Sequence, residues 1–478
     1  NEHADVLEQW QQRIRYLLVD EYQDTNRAQY ELVRCLVRQR QALTVVGDDD
    51  QSIYAWRGAR PENLVQLQQD FNDLKVIKLE QNYRSTGRIL RAANTLIENN
   101  PHTITKALWS ELGPGDPLRL ICTENESMEC ERVANEIIDM RLKRRCKYSD
   151  FAILYRSNYQ ARMLEIHLQK QDIAYEITGG QSFYAKTEIK DTMAYLRLVI
   201  NPDDDNALLR IINTPRRQIG PTTLEQLGTY ANLRELPLFQ CIDEIGLANK
   251  ISDAALIRLR RFKDWIEQIN RRLYSEEPIS VIREMLEDAD YLGWLHQNAS
   301  SEKMAMRRWQ NIDFLLEQLQ QVLSKEDSES GQSERAVENA IAKLVLRDLL
   351  DREEQEASHD KVQLMTLHAA KGLEFLHVFM VGMEEDILPH KNSTEAAQIE
   401  EERRLTYVGI TRAQRTLTMT RALQRTQYGN TTATVPSRFI DELPASDLVR
   451  LGEGTAPNPE NLEQQRSASL AALKTLFD

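Results

Sequence analysis

Residues 17–25 read Leu-Leu-Val-Asp-Glu-Tyr-Gln-Asp-Thr, an apolar run that stops at two adjacent carboxylates, Asp20 and Glu21. A carboxylate pair at the end of a buried strand suits nucleotide chemistry. The first can hold a magnesium ion through its water shell, and the second can orient or deprotonate an attacking water. Taken alone, the pair reads equally well as a solvated strand end. A second apolar run ends in Gly47-Asp48-Asp49-Asp50-Gln51-Ser52-Ile53-Tyr54-Ala55-Trp56-Arg57-Gly58. Gln51, just past a strand end, is placed to touch a γ-phosphate. Tyr54, Trp56 and Arg57 interleave aromatic rings with a guanidinium, a stacking platform for single-stranded bases at roughly 1–3 kcal/mol per base. On its own, Trp56 is more readily read as plain core.

Three further stretches carry phosphate-holding residue types at strand ends or helix starts. They are Gln81-Asn82-Tyr83-Arg84-Ser85, Thr366-Leu367-His368-Ala369-Ala370-Lys371-Gly372-Leu373-Glu374-Phe375, and the segment from Glu401 to Ala413 that includes Arg412. Each has a bland reading, a solvated charged helix face in the last case. The ordered occurrence of all of them is what favours chemistry.

The elements that must position these residues are buried strands. Near-continuous apolar runs at 14–19, 42–46, 76–79, 118–122, 151–155, 362–367, 377–381 and 416–420 alternate with helical patterns. That is the signature of a doubly wound α/β fold with parallel strands covered on both faces, in which ligands sit at the carboxyl ends of strands. From about 186 to 350 the pattern is helix after helix, with Leu208, Leu209, Ile211 and Ile212 in one cluster and Leu256, Leu259, Phe262, Trp265 and Ile266 in another. An all-helical block between two stretches of α/β pattern predicts a domain inserted into a domain. The polar stretch Ser324–Glu334 predicts a solvated loop, and 452–460 a linker before a short terminal helix.

Composition narrows the classes. The chain has 478 residues, 60 Lys plus Arg against 74 Asp plus Glu, and a formal charge of −14, which excludes a polycation that coats nucleic acid by bulk charge. It leaves room for a local basic groove. The run Arg141–Lys147 reads as a solvated helix end. Five scattered cysteines without C-x-x-C spacing predict neither a disulfide framework nor a zinc site, and fit a reducing cytoplasm. No apolar run reaches the roughly 18 residues of a membrane span, so no membrane partner is expected.

The set DEYQDT, GDDDQSIYAWRGA, LEQNYRS, TLHAAKGLEF and EERRLTYVGITRA, in this order, resembles the Rep/UvrD-like DNA helicases of superfamily one. The helical insert, with GGQSFYAKTEIKD and NPDDDNALLRIINTPRRQIGPTTLEQL, is most similar to the Rep branch. The resemblance implies RecA-like motor domains of the phosphate-loop NTPase fold carrying an inserted helical accessory domain. It implies ATP and Mg2+ as cofactors, with Asp20 at the magnesium, Glu21 as catalytic base and Gln51 as γ-phosphate sensor. Tyr83 would stack on adenine, Arg84 and Arg412 would grip the γ-phosphate, and Glu374 would contact the nucleotide. Tyr54, Trp56, Arg57, Thr366 and His368 would contact single-stranded DNA. Gly220, in Ile219-Gly220-Pro221-Thr222, would meet duplex phosphate through its backbone, and Tyr428 would sit at a hairpin tip that wedges the duplex open. The implied partners are single-stranded DNA and single-strand/duplex junctions, with replication or repair proteins at the C-terminal tail. The implied activity is 3′-to-5′ translocation with strand separation.

The expected organisation is the C-terminal part of a first RecA-like domain (1–81), a second RecA-like domain in two pieces (82–178 and 357–445), the helical insert (179–356), and a linker and tail (446–478). One departure stands out. The family carries a G-x-x-x-x-G-K-[ST] phosphate loop, and no such string occurs in these residues. The expectation is therefore a C-terminal portion of a helicase, inactive toward ATP by itself. The competing expectation is a non-hydrolysing DNA-binding or scaffold protein that keeps the fold.

Overall fold

A computed structural model describes residues 3–102, 105–179, 182–330, 336–344, 360–427 and 430–452. The first two apolar runs form β1 (Leu17–Val19) and β2 (Leu43–Val45), a parallel pair with Leu17 opposite Leu43 and Val19 opposite Val45. The helix between them (Arg27–Val37) starts at a capping box: the Asn26 side chain accepts from Gln29 N, and the Gln29 side chain accepts from Asn26 N. Its apolar stripe, Tyr30, Val33 and Val37, packs with Tyr22, Leu64, Leu67 and Phe71 into a small core.

The run at 76–79 is not a strand. Val76, Ile77 and Leu79 are exposed, and among the described residues no strand lies alongside them. The chain pairs just beyond, where Gln81 bridges Trp109, Trp109 N donates to Glu80 O and Asn82 N donates to Trp109 O. An apolar run becomes a buried strand only where a neighbouring edge and a covering layer exist, and here neither does.

The remaining runs build one large sheet. In chain order its strands are β3 (Leu118–Asn125), β4 (Phe151–Tyr155), β5 (Tyr175–Thr178), β6 (Val362–Thr366), β7 (Phe375–Met380), β8 (Ala413–Gln427), β9 (Asn430–Ala433) and β10 (Leu448–Leu451). The spatial order is β10-β3-β8-β7-β4-β6-β5, all pairs parallel, with β9 antiparallel on β8. Strand β4 shows why its sequence is continuously apolar: Ala152 and Leu154 enter one core, while Phe151, Ile153 and Tyr155 enter the core on the opposite face. Helices Gly87–Ile97 and Ala396–Thr411 cover the first face, and Glu126–Arg144 and Tyr159–Lys170 the second. Two strands had no sequence signal. Strand β5 is only four residues long, and β10 falls in the segment read as linker and tail, where Leu448 packs against the core.

The chain divides into two compact units, residues 1–180 with 358–478, and residues 181–357. The second unit is helical throughout its described residues. Leu208, Ile211 and Ile212 are buried there, as are Leu256, Leu259, Phe262 and Ile266, whereas Leu209 faces solvent. The polar stretch expected as a loop from Ser324 is instead the end of the long helix Glu302–Ser330. Lys, Glu, Asp and Ser are tolerated in a helix, and the first glycine in that stretch is Gly331. The basic run 141–147 does end a helix, with Arg145 in the left-handed region at φ 53°. None of the five cysteines is in a disulfide. Among the described residues no helix is long and apolar enough to cross a membrane.

Candidate active site

The parallel register of β1 and β2 sets their carboxyl ends side by side, and the chemistry-bearing residues follow at once. Glu21 sits in the left-handed region (φ 50°, ψ 43°), unusual for a residue with a side chain and the kind of strain found at functional sites. Its backbone N donates to Asp20 Oδ1 at 2.8 Å. Gln23 ties the two strand ends together: its Nε2 donates to Glu21 Oε2 at 2.5 Å, and its Oε1 accepts from Asp48 N at 3.0 Å. Gly47 makes room for this, because a Cβ there would stand 2.8 Å from Gln23 Oε1. Gln51 Nε2 in turn donates to Asp48 Oδ2 at 2.6 Å.

Lys371, between β6 and β7, reaches into this group. Its ammonium lies 2.5 Å from Asp24 Oδ2 and 3.2 Å from Glu21 Oε2, and donates to Gln51 O at 2.9 Å. Burial raises the Asp24 carboxyl above its ordinary range, against the pull of Lys371.

Arg412 is 2% exposed. Its guanidinium donates to Val408 O, Leu373 O, Thr411 Oγ1 and, at 3.4 Å, Gln51 Oε1. All of these are neutral acceptors, and among the described residues no carboxylate comes within ion-pair distance. Burial, with the charge of Arg84 beside it, lowers its pKa to about 10, so it remains a cation at neutral pH. A buried cation without a carboxylate partner is costly and prepared for an anion. Arg84 Nε donates to Glu374 Oε2 at 2.5 Å, and Glu374 Oε1 accepts from Gln414 Nε2 at 3.0 Å. These residues line a cleft of about 510 Å³ with Gln81, Asn82, Leu112 and Arg415, and the Tyr83 ring, 79% exposed, stands at its rim.

A few residues beyond Gln51 the chain presents an aromatic surface. Trp56 is 65% exposed, which removes the plain-core reading. Arg57 lies 4.6 Å from the Trp56 ring and 5.5 Å from the Tyr54 ring. The His368 ring is 6.4 Å from the Tyr54 ring, and the Tyr54 hydroxyl donates to the His368 carbonyl oxygen at 3.5 Å. Burial, aided by Arg156, lowers the His368 pKa to about 4, so its ring is neutral at physiological pH. Thr366 caps the following turn by accepting from Ala369 N at 3.2 Å. Lys371 lies 5.5 Å from the Tyr54 ring, so one ammonium touches both the aromatic surface and the carboxylate group.

One place fits a hard cation, and a second group of carboxylates does not. Asp20 is exposed, and one of its carboxylate oxygens accepts from Glu21 N, leaving a donor set that fits a magnesium ion retaining most of its water. The carboxylates of Asp48, Asp49 and Asp50 lie within 4.8 Å of one another. They do not fit a metal as they stand, because Lys106 is ion-paired to all three.

Residues 77–424 match the UvrD-like helicase C-terminal domain, and residues 1–72 match the UvrD/REP helicase N-terminal domain. The chain is 50% identical to the ATP-dependent DNA helicase Rep of Salmonella typhimurium, over 99% of this chain and 70% of that protein. Against the Escherichia coli protein of the same name it is 49% identical over the same shares. It is 44% identical to the ATP-dependent DNA helicase PcrA of Bacillus subtilis, over 94% of this chain and 60% of that protein. This chain belongs to the UvrD/Rep helicase family.

Its α/β fold is that of the UvrD-like helicases. Glu21, Asp48 and Gln51 are linked through Gln23, with Asp20 bonded to Glu21 N and Gln51 reaching Arg412, while Tyr83, Arg84 and Glu374 line the cleft; Tyr54, Trp56, Arg57 and His368 lie together. Gly220 lies in the helical unit, at the N-cap of Pro221–Arg234, with φ −74° and open space where a Cβ would stand. Its place is the loop between two helices, and its torsions do not demand glycine. Tyr428 lies outside the described residues. Sequence reasoning passed over Gln23, Asp48, Lys106, Lys371 and Gln414. The first two and Lys371 stood inside motifs as unremarked letters, while Lys106 had no signal at all.

Proposed function

We propose that the intact gene product of this UvrD/Rep helicase sequence uses ATP hydrolysis to translocate 3′-to-5′ on single-stranded DNA and to separate duplex at single-strand/duplex junctions. The observation that carries the reading is Arg412, a buried cation that among the described residues donates only to neutral acceptors, Gln51 among them, beside the charge of Arg84. A γ-phosphate is the anion it lacks. In this reading Arg84 exchanges Glu374 for the phosphate, and Glu374 is freed toward the sugar. Tyr83 stacks on the base. Glu21 takes the proton of the attacking water, and Asp20 holds magnesium, which when bound neutralises phosphate charge. Lys371 leaves Glu21 as the nucleotide arrives.

Coupling follows from chain connectivity. Gln51 and Tyr54 are three residues apart, and Lys371 contacts both the Gln51 carbonyl and the Tyr54 ring. Bases stacked on Tyr54 and Trp56 therefore bear on the group that faces the phosphate. Gly220 and its loop meet duplex backbone, and the tail beyond residue 446 serves replication or repair partners.

The test uses the intact gene product with 3′-tailed and 5′-tailed duplexes. The 3′-tailed substrate is opened and the 5′-tailed one is not. Arg412→Ala lowers DNA-stimulated turnover by about 10²–10³-fold through lost charge stabilisation. Glu21→Gln lowers it by about 10²–10⁴-fold while ATP binding persists. Turnover at the parent rate in either variant removes that residue from the site, and preferential opening of the 5′-tailed duplex reverses the polarity.

A further inference from the structure

Lys106 lies in none of the motifs, yet it is the most heavily ion-paired lysine near the cleft. Its ammonium is bonded to Asp48 Oδ1, lies 2.5 Å from Asp49 Oδ1 and 3.1 Å from Asp50 Oδ2, and the side chain is 17% exposed. Burial works against the charge, but the Asp48, Asp50 and Asp49 carboxylates outweigh it and hold the ammonium above the usual lysine range.

What this does is visible one bond further on. Asp48 uses one carboxylate oxygen for Lys106 and the other for Gln51 Nε2, at 2.6 Å. Gln51 Oε1 then faces Arg412 Nη2 at 3.4 Å. A carboxylate only accepts and a guanidinium only donates, so both neighbours demand the same orientation of the amide. Nε2 points to Asp48, and the acceptor Oε1 points to Arg412. In that pose Gln51 offers Oε1 as a hydrogen-bond acceptor to an attacking water, while one of its two Nε2–H groups is committed to Asp48. We infer that Lys106 is a positioning residue for hydrolysis: by holding Asp48 as an acceptor, it fixes which face of the Gln51 amide looks at the nucleotide. This rests on the reading of Gln51 as a cleft residue given above.

Without Lys106, three neighbouring carboxylates, two of them buried, would face one another. Burial already raises the Asp50 carboxyl, against the pull of Lys106. The other groups facing the cluster are His102, 3.4 Å from Asp50, and the buried Tyr407 and Arg412, whose titrations feel Asp48. Such a cluster takes up a proton as pH falls. A carboxyl that has taken up that proton donates instead of accepting, and an amide facing it turns over.

The experiment measures DNA-stimulated ATP turnover of the intact gene product from about pH 6 to about pH 9, for the parent, Lys106→Met, Lys106→Arg, Gln51→Ala and the double variant Lys106→Met/Gln51→Ala. Lys106→Met is expected to lower kcat by roughly 10²-fold, the scale of a misplaced reacting group, with KM for ATP nearly unchanged. The loss deepens toward acid pH, Lys106→Arg recovers most of it, and Lys106→Met adds nothing once Gln51 is alanine. Should Lys106→Met fail to fold, Lys106→Gln takes its place in the same comparison. Parent-like kcat in the folded Lys106 variant, a change in KM alone, or a full additional loss on the Gln51→Ala background overturns the inference. If Gln51→Ala itself turns over like the parent, the reading of the cleft has failed, a result distinct from a crippled Gln51→Ala beside a normal Lys106→Met.

Discussion

Trp56 shows how one side chain separates a site from a core. With 65% of its surface exposed and Arg57 laid 4.6 Å from its ring, it buries little and offers a face. Trp56→Ala should weaken binding to single-stranded DNA by roughly 1–3 kcal/mol, with little dependence on base sequence. Its melting temperature should stay near the parent's. A drop in melting temperature with unchanged DNA affinity would return Trp56 to the core. A second residue-scale consequence concerns acid. His377 is buried on strand β7, with Nδ1 2.8 Å from Thr416 Oγ1, Nε2 3.2 Å from Cys146 Sγ and the Phe151 ring 5.0 Å away. Burial, then Arg144, lowers its pKa from 6.5 to about 4, and His368 is lowered to about 4 as well. Between those values the unfolded chain binds more protons than the folded one, so stability is present in full above pH 6.5 and is lost as pH falls toward about 4. The melting temperature should decline across that window, and His377→Asn should flatten the decline. A decline of the same steepness in the variant would exclude His377 as a source.

At the scale of elements, strand ends explain where the chemistry lies. Gln23 can join Glu21 to Asp48 only because β1 and β2 run parallel in matched register, and Gly47 leaves the space. Lys371 and Arg412 arrive from the turn after β6 and from the end of helix Ala396–Thr411, beside that same edge. The β8–β9 hairpin is a separate element. Its strands pair antiparallel out to Gln427 opposite Asn430, and the sequence between them is Tyr428-Gly429. An aromatic ring at such a position can replace the stacking lost when a terminal base pair opens. In the intact gene product, Tyr428→Ala should therefore unwind duplex poorly, while DNA-stimulated ATPase and single-strand translocation stay near the parent's. Parallel loss of unwinding and ATPase would assign Tyr428 to the motor, and no loss at all would leave it an ordinary surface residue.

For the whole molecule, the missing G-x-x-x-x-G-K-[ST] string sets the sharpest expectation. The backbone cradle and lysine that neutralise β- and γ-phosphates in this family are not among these residues. The purified 478-residue chain should bind single-stranded DNA yet turn ATP over only weakly. Robust DNA-stimulated turnover would mean that Arg84, Arg412 and Lys371 suffice. By itself the sequence determined the class of fold and the family. Continuous apolar strands such as 151–155 mark a sheet covered on both faces, and motif letters such as DEYQDT and GITRA survive without knowledge of their neighbours. These are local signals, read within a window of one element. The tertiary structure decided the rest: that 76–79 is not a strand among the described residues, that 448–451 closes an edge of the sheet, that Trp56 is exposed and Arg412 buried. It alone brought Lys106 to Asp48 and Lys371 to Asp24, contacts between residues 58 and 347 positions apart. Such partners leave no periodicity in the chain, because the packing of separate elements, and not the spacing within one, fixes which charges meet.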